Sequence, residues 1–187
     1  PWNEWVRGFC RGYDEAREAG IKAGLKVFFG WETTYDGDDF LIYGLDEAYL
    51  LRHPEILKWD QTVQFEEVKK AGGLVVQAHP YRSRGYIHSA NLHPWQCDAW
   101  EIANAGNDPY ENTLARDFAK AHALTVTCGS DMHWIYSDEE IPYAMETDEP
   151  LESAQDYVRL ILSGKGWKLH IPENAYNETP HDLGIPI

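Results

Sequence analysis

Basic residues are scarce. Over 187 residues, 16 Lys and Arg stand against 31 Asp and Glu, a formal net charge of −15. Nucleic acids and anionic membranes are bound through cationic patches, so neither is an expected partner. A small phosphorylated substrate remains compatible, because divalent ions held by carboxylates reverse the local sign. Cysteine is sparse too: Cys10, Cys97 and Cys128 are odd in number, far apart, and form no CxxC pair. That argues against a disulfide framework or a thiolate zinc finger and places the chain in a reducing cytoplasm. These residues give no reason to expect a signal peptide, contain no apolar run long enough to span a membrane, and show no internal repeat or low-complexity segment. What is present suits a folded chain: 43% hydrophobic and 13% aromatic residues, with eight Trp and eleven Tyr. One domain over residues 1–187 is expected.

Strand-like and helix-like stretches alternate. Residues 2–24 have helical spacing of Trp5, Phe9, Tyr13 and Ala16, closed by Gly20 and Gly24. Lys26 to Trp31 reads as a strand ending at Glu32. After the turn Asp36-Gly37-Asp38-Asp39, Phe40 to Leu45 reads as another, so 26–45 is a hairpin or a strand pair. Asp46 N-caps a helix over 46–59, and 61–71 is a further helix. Short strands follow at Leu74–Ala78, Ala99–Ala103 and 124–128, with helices over 110–122 and 151–163. Tyr143-Ala144-Met145 is a possible strand, and Trp167 to Ile171 closes the pattern. Such alternation predicts βα units and a mainly parallel sheet, with function at the carboxyl ends of its strands.

Metal-grade side chains sit at those predicted ends. Glu32 follows an apolar strand and Gly30. His79 precedes Pro80, which biases it toward an extended backbone that would hold its ring at the strand mouth. Asp131 and His133 are two residues apart after Gly129-Ser130, and on an extended chain they point the same way. Two imidazoles and two carboxylates form a hard-to-borderline set suited to Zn²⁺, Mn²⁺ or Fe. Arg82 and Arg84 follow His79 and can hold a phosphate by forked hydrogen bonds, or simply face solvent; Arg82, nearer the site, is the candidate catalytic group. Asn104 either orients a ligand or caps the next helix. His88 and His93, with Tyr86 and Trp95, line a lid or belong to a surface loop. Trp134 walls the pocket or packs in the core. His53, His122 and His170 read as structural, His181 lies in the tail, and Cys128 reads as a buried strand residue. The acidic run 138–149 reads as a solvated face.

Four segments carry a resemblance. Gly30-Trp31-Glu32, Ala78-His79-Pro80-Tyr81-Arg82, Glu101-Ile102-Ala103-Asn104 and Gly129-Ser130-Asp131-Met132-His133 resemble, in order and spacing, motifs of the PHP (polymerase and histidinol phosphatase) family. The stretch Ile141–Met145, with the helix ending Leu162-Ser163-Gly164-Lys165-Gly166, is similar to the family's closing region, so the resemblance covers residues 26–166. It implies an α/β fold, a distorted (β/α)7 barrel, with two or three divalent ions (Zn, Mn or Fe) at the strand carboxyl ends. It also implies a metal-dependent phosphoesterase acting on a small phosphomonoester or nucleotide through a metal-activated water. Glu32, His79, Asp131 and His133 fall on the family's ligand positions. Where many members carry a further histidine after the Glu motif this chain has none, and Asp39 is the candidate substitute.

The family's opening His-x-His and Asp-His motifs do not occur before residue 26. A βαβ unit of roughly 30 residues would hold them. With Pro1 opening directly into helix-like sequence, the expectation is that a natural N-terminal segment precedes it and that the barrel lacks its first βα unit or units. Two other functions fit the same residues: a metal-dependent hydrolase of an amide or lactone, and a non-catalytic metal-binding module with a degenerate site.

Overall fold

The computed structural model describes residues 1–87, 89–134 and 143–177. Helix α1 (Trp2–Ala23) ends where Gly24 takes a left-handed φ of 72° and returns its N–H to Gly20 and Ile21. The hairpin follows as β1 (Gly30–Tyr35) and β2 (Asp38–Tyr43). Its turn residues Asp36 and Gly37 have φ of 53° and 91°, the doubly positive pair that suits a tight hairpin. Asp46 caps α2 (Glu47–Arg52) by accepting from Tyr49 N–H, and Asp60 caps α3 (Gln61–Lys70) through Val63 N–H. Then come β3 (Leu74–Gln77), β4 (Ala99–Asn104), α4 (Pro109–His122) and β5 (Val126–Gly129). The described chain closes with β6 (Ala144–Thr147), α5 (Ala154–Ser163) and β7 (Trp167–His170). Among the described residues no helix is long and apolar enough to cross a membrane.

The strands form a five-stranded mixed sheet in the order β1-β2-β3-β4-β5 and a separate two-stranded ribbon, β6-β7. This corrects the expected (β/α)7 barrel: among the described residues no closed barrel is present. The sheet is not mainly parallel either. The two-residue turn forces β2 antiparallel to β1, and β2 pairs antiparallel with β3 as well; only β3/β4 and β4/β5 are parallel. Neither β1 nor β5 gains a second ladder that would close the ring, because β6 pairs with β7 instead. The first strand also begins later than the sequence suggests. Lys26 to Phe29 is not a strand, and Glu32 lies inside β1, opposite Leu41, not beyond its end.

Alternation along the strands sorts the core into two faces. Phe40, Ile42 and Val75 pack with Val6 of α1, Leu50 of α2 and Phe65 of α3. Leu74 and Val76 turn the other way, toward Val158 and Ile161 of α5. Trp100 and Ile102 pack against Ala119 of α4. Strands β3 and β4 are buried at every residue, as strands covered on both faces must be.

The β1-β2 register gives the site its place. Asp38 pairs with Tyr35 at the turn, so the start of antiparallel β2 lies beside the carboxyl end of β1. Asp39 therefore reaches the same end of the sheet as His79, which follows β3. Asp39, Leu41 and Tyr43 alternate onto one face with Glu32, the face that α5 covers.

Candidate metal centre

Three side chains converge at that end. His79 Nε2 stands 3.4 Å from Glu32 Oε1 and 3.7 Å from Asp39 Oδ2. One donor atom from each of the three residues lies within 4.8 Å of the others. Asp39, named from sequence only as a substitute, is thus a full member of the group, and the hydroxyl of Thr34 bonds its other oxygen.

His79 does not adopt the extended backbone that Pro80 favours. Its φ is +29°. A continued strand would point residue 79 to the face opposite Ala78; the left-handed turn presents the ring to Glu32 and Asp39. In this conformation the His79 N–H donates to Glu101 Oε2 of β4 at 2.8 Å. Tyr81 and Asp131 also have positive φ, 71° and 47°. Backbone of this kind persists where surrounding bonds over-determine it.

A cavity of about 260 Å³ opens beside the group, with Glu32, His79, Glu101, Asn104 and Asp131 on its wall. Tyr43 and Tyr157 line it from β2 and α5, their rings edge to face at 5.0 Å. Asp131 does not continue β5, which ends at Gly129, so Asp131 and His133 are not neighbours on one extended face. Asp131 faces the cavity and pairs with Arg82 (Nη2 to Oδ2, 2.6 Å). His133 turns back, its Nδ1 2.9 Å from the Asp131 carbonyl, and its side chain is 73% exposed. The described structure therefore brings Glu32 and His79 together with Asp39, sets Asp131 on the same cavity, and leaves the His133 ring off its lining.

Arg82 faces protein. Its Nε donates to Asn107 Oδ1 (2.9 Å), and Nη2 reaches both Asn104 Oδ1 (2.8 Å) and Asp131 Oδ2. Arg84 is held by the Gly106 carbonyl and by Glu111 at 3.2 Å. Helix α4 is capped by the reciprocal Asp108–Glu111 box, which frees Asn104 to donate to Glu101 Oε2 at 2.9 Å. Of the suggested lid residues, His93 packs on Phe40 and bonds Gln96, and Trp95 meets His122 edge to face at the end of α4. Trp134 is exposed, and Tyr86 likewise. His88, His181 and residues 138–142 of the acidic run, including the expected start of the strand around Ile141, lie outside the described residues. Cys128 donates to the Ala144 carbonyl at 3.1 Å, and burial pushes its thiol up to about 12, so it is no nucleophile at neutral pH.

Glu101 is the residue that sequence reasoning missed. A glutamate inside the otherwise apolar strand Ala-Trp-Glu-Ile-Ala was the available signal, since buried strand positions rarely carry charge without a partner. Burial pushes its carboxyl above the ordinary range, against the pull of the Asn104 and His79 donors. Asp39 is raised in the same direction, by burial first, although the Thr34 bond and the His79 and Arg82 charges pull it down. A carboxyl raised in the folded state binds protons more tightly there than in the unfolded chain. With chelator present, stability contributed by Glu101 is therefore highest at acid pH and declines as pH rises through the carboxylate range and into the raised one. The gap in Tm between wild type and Glu101→Gln should change as pH rises from the ordinary carboxylate range into the raised one, with wild type losing more as pH rises. A pH-independent gap would exclude this linkage.

Gly129 makes room for that carboxylate. A Cβ at residue 129 would run into Glu101 Oε1. Gly129→Ala should cost about 1–3 kcal/mol in urea unfolding, the range of an overpacked core site. An unchanged midpoint would mean that Glu101 can move aside freely.

The chain matches no protein-family model and no curated protein.

Proposed function

We propose that the chain is a metal-dependent hydrolase of the phosphoesterase class whose motifs it resembles. The observation that carries this reading is the Glu32–Asp39–His79 group, whose donor atoms lie within 4.8 Å at the wall of a cavity. Two carboxylates and an imidazole suit Zn²⁺, Mn²⁺ or Fe, and these three residues would hold such an ion. When bound, it supplies Lewis acidity and an acidified water near neutral pH. The chain's own groups do the rest. Asp131, braced by Arg82, orients what enters from the opposite wall, and Tyr43 and Tyr157 exclude bulk water from the inner side. Three free cysteines fit a reducing cytoplasm.

The test combines metal titration with a substrate panel. Chelator-treated protein should take up Mn²⁺ or Zn²⁺ and then turn over phosphomonoesters or nucleotides. Bound metal with no turnover on a broad phosphoester panel would overturn the reading. One observation favours a second: among the described residues the cavity is lined by no Lys or Arg, and Arg82 is spent on Asp131. A pocket without a fixed cation fits a neutral amide or lactone as well, with turnover on such substrates as its sign.

A further inference from the structure

We infer that Glu101 is a positioning residue that holds His79 in its metal-binding conformation and ties the two walls of the cavity together; this rests on the metal-binding reading above. The argument is one of connectivity. Glu101 Oε2 accepts from His79 N–H at 2.8 Å and from Asn104 Nδ2 at 2.9 Å. Asn104 Oδ1 accepts from Arg82 Nη2 at 2.8 Å, and the same nitrogen reaches Asp131 Oδ2 at 2.6 Å. A continuous chain of hydrogen bonds thus runs from the His79 main chain on one wall to Asp131 on the other, and Glu101 is its turning point.

Its position makes any other reason for a carboxylate weak. Glu101 sits inside a fully buried strand, at 4% exposure, where an aliphatic side chain would pack at lower cost. Both of these bonds fall on one oxygen, and the other occupies space left by the missing Cβ of Gly129. The bond to His79 opposes the preference imposed by Pro80. Without it, residue 79 relaxes toward extended backbone and the ring turns from Glu32 and Asp39. Orientation of a ligand histidine through an outer carboxylate is worth about 10–100-fold in metal affinity. Here the hold is on the main chain, not on the ring.

The oxygen count supplies the discriminating variants. Glu101→Gln keeps one carbonyl oxygen, enough to accept both donors, and removes the charge. Glu101→Leu removes both bonds. Affinity for Co²⁺, read by its visible absorption, should stay close to wild type in Glu101→Gln and fall about 10–100-fold in Glu101→Leu. A second readout needs no metal. In chelator-treated protein the His79 amide proton should lie downfield and exchange slowly in wild type and in Glu101→Gln, then move upfield and exchange fast in Glu101→Leu. Should Glu101→Leu not fold, Gly129→Ala displaces the carboxylate without deleting it and should shift the His79 amide and weaken Co²⁺ binding. If Glu101→Gln loses as much affinity as Glu101→Leu while the amide stays in place, Glu101 is itself a ligand and the positioning role is overturned. An unmoved amide in Glu101→Leu, or in Gly129→Ala where that variant stands in, overturns it as well. A wild type that binds no Co²⁺ defeats the metal reading alone, since the amide still decides the positioning.

Discussion

Replacing His79 by alanine should cost more metal affinity than the roughly 10–100-fold that follows loss of an outer partner. The imidazole is the one nitrogen donor of the group, and it stands between two carboxylates at 3.4 and 3.7 Å. Removing it leaves Glu32 and Asp39 facing each other without the partly compensating ring. Their mutual repulsion, already one of the influences raising Asp39, then acts with less opposition. Isothermal titration with Mn²⁺ or Zn²⁺ reads the loss. Hydrolytic turnover should vanish with it, while the chelated variant keeps the wild-type circular dichroism. Undiminished metal binding by His79→Ala would place the ion elsewhere and remove the basis for the proposed function.

Arg82→Ala should destabilise the fold by about 1–3 kcal/mol, the cost of losing charged hydrogen bonds at a partly buried site and below the roughly 3–5 kcal/mol of a fully buried pair. The Arg82 and Asp131 side chains are 15% and 17% exposed, so solvent screens the pair in part. Deletion strands the Asp131 carboxylate beside the cavity and takes a donor each from Asn104 and Asn107. Gly106 is part of the same nest: its N–H donates to Asn104 Oδ1, and a Cβ there would press on Arg82 and Asp131. Arg82→Lys should not restore the loss, because an ammonium cannot span three acceptors in the guanidinium's fixed fork. The measurement is the urea midpoint at unchanged slope. A variant of wild-type stability that has nonetheless lost turnover would return Arg82 to the substrate-binding role suggested by its place after His79.

The two variants test different halves of one arrangement. His79 is held by a contact 22 residues distant in sequence, and Arg82 binds an aspartate 49 residues on. Neither contact has a local signature. The residue types were conspicuous, and so were Asp39 and Asn104. Which oxygen meets which nitrogen was not legible, because that depends on strand register. Glu101 looked like part of a strand motif until β4 was seen to run beside β3.

What the sequence by itself determined was local. Caps at Asp46 and Asp60, the glycine stop of α1, the doubly positive hairpin turn and the alternation of β2 all follow from side chains acting on their own or adjacent backbone. Residue types alone singled out Glu32, Asp39 and His79, but not that Glu32 lies inside β1 and Asp39 at the start of β2. Tertiary structure alone decided the rest. It made the sheet mixed and open in place of the expected barrel, since strand pairing is a contest between ladders that no single strand encodes. It also turned His79 against the preference imposed by Pro80 and drew Asp131 to Arg82, while His133 turned back on the Asp131 carbonyl. A local backbone bias is worth little against a buried hydrogen bond, and such a bond exists only once distant strands have paired.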